Sequence, residues 1–307
     1  MALVAFASAR SPGLTTSALA LALSWPEPGR VLLAELDPDG GTIAERHAAN
    51  PDPGLNTLAA SGRHYLSPGM VTSNLQRLPG GLPVLLSSAS PDRCVAALAA
   101  LNPVGLGETL RDVPGFDVLA DCGRIDSNSP ALPVLREADA VIFVVRATLE
   151  DIVGLRARLE TLDLARGTRA GIVVVDSGPH KVEDVAAAFT LPVVGALAWD
   201  TRAATALSEG RHVLGSSKLM RSAERLAADL AAQIGSEMVT GPAADNSGPL
   251  PPHNAQGMAD QGVRVEMPSS QRPPGPPAVP SSVPSPAWTT PSESVPTRPA
   301  ASWGATL

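Results

Sequence analysis

Short apolar runs separated by helical patterns make up most of this chain. The runs stand at 3–8, 31–37, 82–88, 117–122, 140–146, 171–176 and 192–197. Apolar residues recur at helical spacing over 15–24, 149–164 and 219–234. Strands that are apolar on both faces are typical of a parallel sheet covered by helices. The sequence therefore predicts an α/β fold with a doubly wound, mostly parallel sheet and helices on both faces.

The composition changes abruptly near residue 239. Fifteen of the 31 prolines lie beyond this point, among many serines and alanines. Such a segment has no apolar periodicity and cannot offset the entropy lost on ordering. We predict a folded domain at 1–238 and a Pro/Ser/Ala-rich disordered tail at 239–307. The tail is either a docking segment for a protein partner or an inert solvated extension.

The charge of the chain limits its partners. The formal net charge of −7 argues against a broad nucleic-acid-binding face, which needs basic residues.

No apolar run is long enough to predict a transmembrane helix. The two cysteines, Cys94 and Cys122, lack metal-ligand spacing and suit a reducing compartment. We expect a cytoplasmic protein, and neither DNA nor membrane association is supported.

The loop after the first predicted strand has the order strand, small residues, helix. It reads Ser-Ala-Arg-Ser-Pro-Gly-Leu-Thr-Thr over 8–16. A loop of this kind points backbone N–H groups and a helix N-terminus at an anion. Gly13 permits close backbone approach, and Thr15 occupies the position of a phosphate-loop hydroxyl that holds Mg²⁺. Ser11, Leu14 and Thr16 complete the predicted cradle, with Leu14 at the position of the usual lysine.

Two acidic residues stand at the ends of other predicted strands. Asp37 follows the second strand, and Asp121 ends the fourth. In parallel sheets such residues meet at one edge, where ligands bind. A buried carboxylate is costly unless it contacts a cation, water or a backbone donor. We predict a Mg²⁺ site at Thr15, Asp37 and Asp121, partly through water, with turn or cap roles as the alternative for the acids.

The three motifs together resemble the MinD/ParA branch of P-loop ATPases. That family's loop reads Lys-Gly-Gly-x-Gly-Lys-Thr-Thr, where residues 9–16 read Ala-Arg-Ser-Pro-Gly-Leu-Thr-Thr. Its second strand ends in acid-x-Asp-Pro-Gln-Gly, where residues 35–40 read Glu-Leu-Asp-Pro-Asp-Gly. Segment 116–121 resembles its third acidic motif, and the resemblance extends over about 1–235. It implies a homodimer that binds ATP and Mg²⁺.

The resemblance also assigns roles to single residues. It implies that Asp37 positions the attacking water and that Asp176 stands where the family has an adenine-contacting asparagine. Both family lysines are missing, because Ala9 and Leu14 occupy their positions. Loss of one charge-stabilising donor costs about 10²–10³ in rate, so weak or absent hydrolysis is expected.

Three functions stay open at this point. The first is a degenerate nucleotide-binding protein that acts as a positioning, partitioning or scaffold subunit, a pseudo-ATPase. The second is an active ATPase in which Arg10 or a partner's cation supplies the missing charge. The third is a binding module without nucleotide that recruits an unidentified protein partner through its tail. The cofactors are ATP and Mg²⁺ if the site is functional, and otherwise none.

Overall fold

The structure is a computed structural model that describes residues 1–10, 12–162 and 169–239. Its sheet has eight strands. In chain order they are β1 (Leu3–Ser8), β2 (Val31–Glu35), β3 (Gln76–Arg77), β4 (Pro83–Leu85), β5 (Asp117–Arg124), β6 (Ala140–Arg146), β7 (Arg169–Asp176) and β8 (Val193–Ala198). The spatial order is β3-β4-β2-β5-β1-β6-β7-β8.

All neighbouring strands pair in parallel except β3 and β4, which are antiparallel. β1 lies between β5 and β6, with Val4 opposite Leu119 on one side and Ala140 on the other. This topology confirms the predicted doubly wound α/β fold. β3 was not predicted, because two polar residues carry no apolar pattern.

Helices connect the strands and cover both faces of the sheet. In chain order they are α1 (Leu14–Leu23), α2 (Ile43–Arg46), α3 (Leu55–Ser61), α4 (Pro68–Ser73), α5 (Pro91–Leu101), α6 (Leu106–Arg111), α7 (Leu132–Glu137), α8 (Leu149–Leu159), α9 (Val182–Ala187), α10 (Thr201–Ser208) and α11 (Lys218–Val239). Among the described residues, none of the helices is both long and apolar enough to span a membrane.

The core forms two clusters, one on each face of the sheet. Along β1, Leu3 and Ala5 belong to one cluster, whereas Val4 and Phe6 belong to the other. This alternation follows from the two-residue period of strand side chains. Because both faces of β1 are buried, the run is apolar from Leu3 to Ala7, which is the pattern that predicted a parallel sheet.

Several predicted element ends differ from the observed ones. β2 ends at Glu35 and not at 37, because the chain turns after Leu36, where the Asp37 carbonyl accepts from the Gly40 N–H at 3.1 Å. β4 ends at Leu85, because the carbonyls of Leu86 and Ser88 accept from loop amides. α8 ends at Leu159, short of the predicted 164.

The predicted domain boundary is not tested by the structure. α11 extends to Val239, one residue beyond the predicted end of the domain at 238. The rest of the predicted tail lies outside the described residues. Its disorder stays a prediction.

Candidate functional site

A cavity of about 380 Å³ opens at the carboxyl ends of the central strands. Its lining residues follow β1, β2, β5 and β6 or belong to the first turn of α1 and to α2. They are Ser8, Arg10, Gly13, Leu14, Thr15, Thr16, Asp37, Asp39, Gly40, Thr42, Arg46, Gly123, Arg124 and Arg146. The cavity therefore collects most of the residues that the sequence placed at a ligand site.

The loop before α1 places a glycine at the N-terminus of the helix. Gly13 has a φ of 89° and caps the N-terminus of α1, and its carbonyl accepts from the Ser17 N–H at 2.9 Å. A left-handed φ favours glycine, because a side chain there is strained. Ser11 lies outside the described residues, so its predicted role is untested.

Leu14 begins α1 and is only 6% exposed. It belongs to the core cluster that contains Phe6, Ala18 and Leu219. The residue at the family's lysine position therefore packs against apolar side chains. It contributes no charge to the cavity that it borders.

Asp121 is fully buried in the C-terminal half of β5, close to Thr15. One carboxylate oxygen, Oδ1, accepts from the Gly123 N–H at 3.2 Å. Burial raises the pKa of Asp121, and a hydrogen bond from the Thr15 side chain opposes this rise. The other oxygen, Oδ2, has no hydrogen-bond partner within the described part of the chain. Asp121 itself does not line the cavity, but an unpartnered buried oxygen of this kind is a candidate ligand for water or a cation.

The donor set fits Mg²⁺ bound together with phosphate. A hydroxyl at Thr15 and a carboxylate at Asp121 supply few protein ligands, as Mg²⁺ sites on nucleotides commonly do. No group of three or more His, Cys, Asp or Glu able to hold a metal occurs among the described residues. Water and phosphate oxygens would therefore complete the coordination.

Asp37 lies two residues beyond β2 and borders the cavity. Its Oδ1 accepts from the Asp39 N–H at 2.8 Å, and its carboxylate fills the space beside Gly123. Gly123 has a φ of +67°, and a Cβ added there would displace the Asp37 carboxylate. Burial raises the pKa of Asp37 to about 6, and repulsion from Asp121 and Asp39 contributes.

The structure thus brings Thr15, Asp37 and Asp121 to one edge of the sheet. Their roles in binding Mg²⁺ or positioning water stay predictions.

Glu35 is a structural residue of the site that sequence reasoning did not single out. Its Oε1 accepts from the N–H groups of Thr42 at 2.6 Å and Ile43 at 2.9 Å, and its Oε2 accepts from Ser87 at 3.1 Å. Burial raises its pKa to about 7 against these three hydrogen bonds. Glu35 therefore fixes the start of α2. Its place before Asp37 in the acid-x-Asp motif was the available signal.

Arg10 and Arg124 border the cavity and form ion pairs. Arg10 contacts Glu150 at 2.8 Å, and Arg124 donates through Nε to Asp39 at 2.8 Å. The side chain of Arg10 is half exposed. The predicted charge-supplying role of Arg10 is thus compatible with its position but competes with Glu150.

Two further arginines reach the cavity from other elements. The guanidinium of Arg146, at the end of β6, lies over the Trp199 ring at 5.8 Å from its centroid. Arg46 ends α2 and donates through Nη1 to the Thr16 hydroxyl at 3.3 Å. Arg46 lies thirty residues from Thr16 in sequence, so no spacing could have indicated this contact.

Asp176 ends β7 and is exposed. It does not line the cavity described above. The sequence thus placed Asp176 at the correct strand end, but the structure does not bring it to the residues around Thr15. Its contact with adenine stays a prediction.

Solved structures share this architecture. The cell division ATPase MinD of Pyrococcus furiosus aligns with a TM-score of 0.59 and 17% identity, over 76% of this chain and 99% of that chain. The fold is that of MinD/ParA P-loop ATPases. MinD of Pyrococcus horikoshii OT3, in complex with Mg-ADP, aligns with a TM-score of 0.60 and 16% identity, over 77% of this chain and 98% of that chain. A ParA family ATPase of Chlorobium tepidum TLS aligns with a TM-score of 0.57 and 14% identity, over 75% of this chain and 98% of that chain.

The MinD/ParA-like fold is the extent of the likeness. No protein-family model matches the chain, and no curated protein matches its sequence. Identities this low support a shared architecture and not a shared activity. Function must therefore be argued from the residues of the cavity.

Proposed function

We propose that this chain is a degenerate MinD/ParA-like nucleotide-binding protein with weak or absent hydrolysis. It binds ATP with Mg²⁺ and acts as a positioning, partitioning or scaffold subunit. The observation that carries the proposal is the fully buried Asp121 close to Thr15, because one of its carboxylate oxygens has no hydrogen-bond partner among the described residues. That pair, at the start of a helix, suits a Mg²⁺–phosphate ligand.

The residues divide the task of binding. N–H groups in the first turn of α1 bind phosphate oxygens, because a helix N-terminus attracts anions. Thr15 and Asp121 would hold Mg²⁺, Thr15 through its hydroxyl and Asp121 through water. When bound, Mg²⁺ supplies charge neutralisation on the phosphates. Asp37 borders the same cavity and is positioned to accept a hydrogen bond from a water.

Weak hydrolysis follows from the missing charges. Leu14 is buried in the core, and Ala9 carries no side chain that could reach a second subunit. Charge stabilisation of the transferred phosphoryl group is a dominant part of catalysis in such sites. Binding can persist through backbone N–H groups and Mg²⁺ while turnover is lost.

An active ATPase completed by Arg10 is the second candidate. The observation in its favour is that Arg10 borders the cavity beside the loop. A ligand phosphate would then compete with Glu150 for this guanidinium. The homodimer and the recruitment of a protein partner through the tail belong to the first proposal and rest on analogy with the fold.

Thermal unfolding with and without Mg-ATP tests the proposed binding. A ligand that binds only the folded state raises stability by RT ln(1 + [L]/Kd). We expect Mg-ATP to raise the Tm of the wild-type chain and Thr15→Ala to abolish most of this rise. Thr72→Ala, which removes an exposed hydroxyl bonded to the Gly69 carbonyl, is the matched control.

Phosphate release distinguishes the two candidates. Turnover near or above about 1 s⁻¹, the lower end of typical enzymes, would contradict a degenerate site. If Arg10→Ala then abolished that turnover, the second candidate would replace the first. An unchanged Tm in millimolar Mg-ATP would leave only the module that functions without nucleotide.

A further inference from the structure

Four arginine side chains border the cavity, each from a different element. Arg10 follows β1, Arg46 ends α2, and Arg124 and Arg146 end β5 and β6. Arg10 and Arg124 are engaged by carboxylates, and Arg146 lies over an aromatic ring. Arg46 forms no ion pair with any carboxylate in the described ranges, so its charge is not already neutralised by contact.

Among the described residues, the one hydrogen-bond partner of the Arg46 guanidinium is a neutral hydroxyl in the loop-to-helix turn. Nη1 donates to Thr16 Oγ1 at 3.3 Å, in the first turn of α1. This contact places a guanidinium at the helix N-terminus beside the loop. An arginine presents five N–H donors in a planar fork, and this contact uses one of them.

The charge of Arg46 is partly withdrawn from water. Burial lowers its pKa, whereas the nearby acids Glu35 and Asp121 oppose that change. An arginine stays protonated in proteins. A half-buried cation attracts an anion more strongly than an exposed one, because water screens it less.

The backbone holds Arg46 in this place from two sides. Glu35 accepts hydrogen bonds from the first turn of α2, as described above. At the other end, Gly210 has a φ of +64°, and a Cβ added there would clash with the Arg46 carbonyl oxygen. The chain after α10 therefore packs directly on the end of α2 and fixes the backbone from which the Arg46 side chain extends.

We propose that Arg46 is the phosphate-binding cation of this site. Its guanidinium donates to phosphate oxygens of a nucleotide held at the N-terminus of α1, where Leu14 supplies no charge. The inference rests on the proposed function, since it needs a nucleotide in this cavity. The competing role is purely structural, in which Arg46 only balances the charges of Glu35 and Asp121.

Calorimetric titration of the full chain with Mg-ADP, Mg-ATP and adenosine separates these roles. The variants are Arg46→Gln, which keeps a donor for Thr16 without the charge, and Arg46→Lys, which keeps the charge. Arg30→Ala is the matched control, because Arg30 is exposed, pairs with Glu27 and lies outside the cavity.

We expect Arg46→Gln to weaken ADP and ATP binding by about 10- to 100-fold, the value of a hydrogen bond to a charged group. Adenosine affinity should change by less than about twofold, because adenosine has no phosphate. Arg46→Lys should bind ADP and ATP more tightly than Arg46→Gln does, because it keeps the positive charge. Arg30→Ala should bind both nucleotides with wild-type affinity. Tm values measured beside the titrations establish that each variant is folded.

Three results would overturn the proposal. A folded Arg46→Gln chain with wild-type ADP affinity would reduce Arg46 to a structural counter-charge while leaving nucleotide binding intact. Equal losses for adenosine and ADP would show that the phosphate is not what Arg46 contacts. Absence of wild-type binding at millimolar nucleotide would remove the proposed function and this role together.

Discussion

The buried carboxyl group of Glu35 should make this protein less stable as the pH rises. Its side chain is 1% exposed, and burial raises its pKa from 4.5 to about 7. Between these two values the folded state binds more protons than the unfolded state. Below pH 4.5 both states are protonated. Stability is therefore lost as the pH rises through about 7.

The magnitude follows from the two pKa values. A difference from 4.5 to about 7 corresponds to about 3 kcal/mol over the whole range, at about 1.4 kcal/mol per pH unit. The free energy of unfolding changes little with pH near and beyond each of the two pKa values. About 2 kcal/mol of the total loss of stability therefore occurs between about pH 5.5 and about pH 8.5.

Urea unfolding of the wild type and Glu35→Gln at these two pH values measures the effect. The difference between the proteins isolates Glu35, since Asp37 and Asp121 titrate in both. Glu35→Gln should lose about 2 kcal/mol of pH dependence. Its absolute stability should also fall, because the new amide N–H₂ faces the Ser87 N–H. Glu27→Gln, at an exposed glutamate, is the control and should keep the wild-type dependence. Equal pH dependence in Glu35→Gln and the wild type would refute the reasoning.

Three further substitutions test the packing of the fold. Gly40→Ala should cost more than about 2 kcal/mol, because its φ is +108° and an added Cβ would lie 2.5 Å from the Ala89 carbonyl oxygen. Gly80→Ala, at a φ of +93° with open space around it, should cost only about 1 kcal/mol, and equal losses in urea unfolding would contradict this reading. Phe6→Ala removes a fully buried ring from β1 and should cost about 3–5 kcal/mol. A loss below about 1.5 kcal/mol would show that the cluster on that face of the sheet is loosely packed.

The sequence predicted the strands better than it predicted the short helices. β1 and β6 match their predicted bounds, because continuous apolar runs report directly on burial on both faces. α2 has only four residues and begins where Glu35 accepts backbone hydrogen bonds, so no periodicity marks it. A short helix whose start is fixed by a buried carboxylate outside it cannot be predicted from the spacing of apolar residues.

The candidate site was predictable at strand ends and not elsewhere. Thr15, Asp37 and Asp121 could be placed together, because parallel strands bring their carboxyl ends to one edge. Arg46 could not, since its position depends on α2 and on the packing of Gly210. For Leu14, the sequence predicted the missing lysine but not the position of the side chain that replaces it. The structure shows that the Leu14 side chain is buried in the core.

Binding of nucleotide is the claim on which the proposed function depends, and calorimetry of the purified full chain measures it directly. ATP and ADP should each be titrated with Mg²⁺ and again with the metal chelated. We predict saturable binding that weakens when Mg²⁺ is removed, as expected if Thr15 and Asp121 hold the ion with the phosphates. No heat of binding at millimolar ATP or ADP, in a chain shown to be folded, would contradict the claim. The cavity around Thr15 would then be a feature of the fold that binds no nucleotide, and the function would depend on other surfaces of the chain.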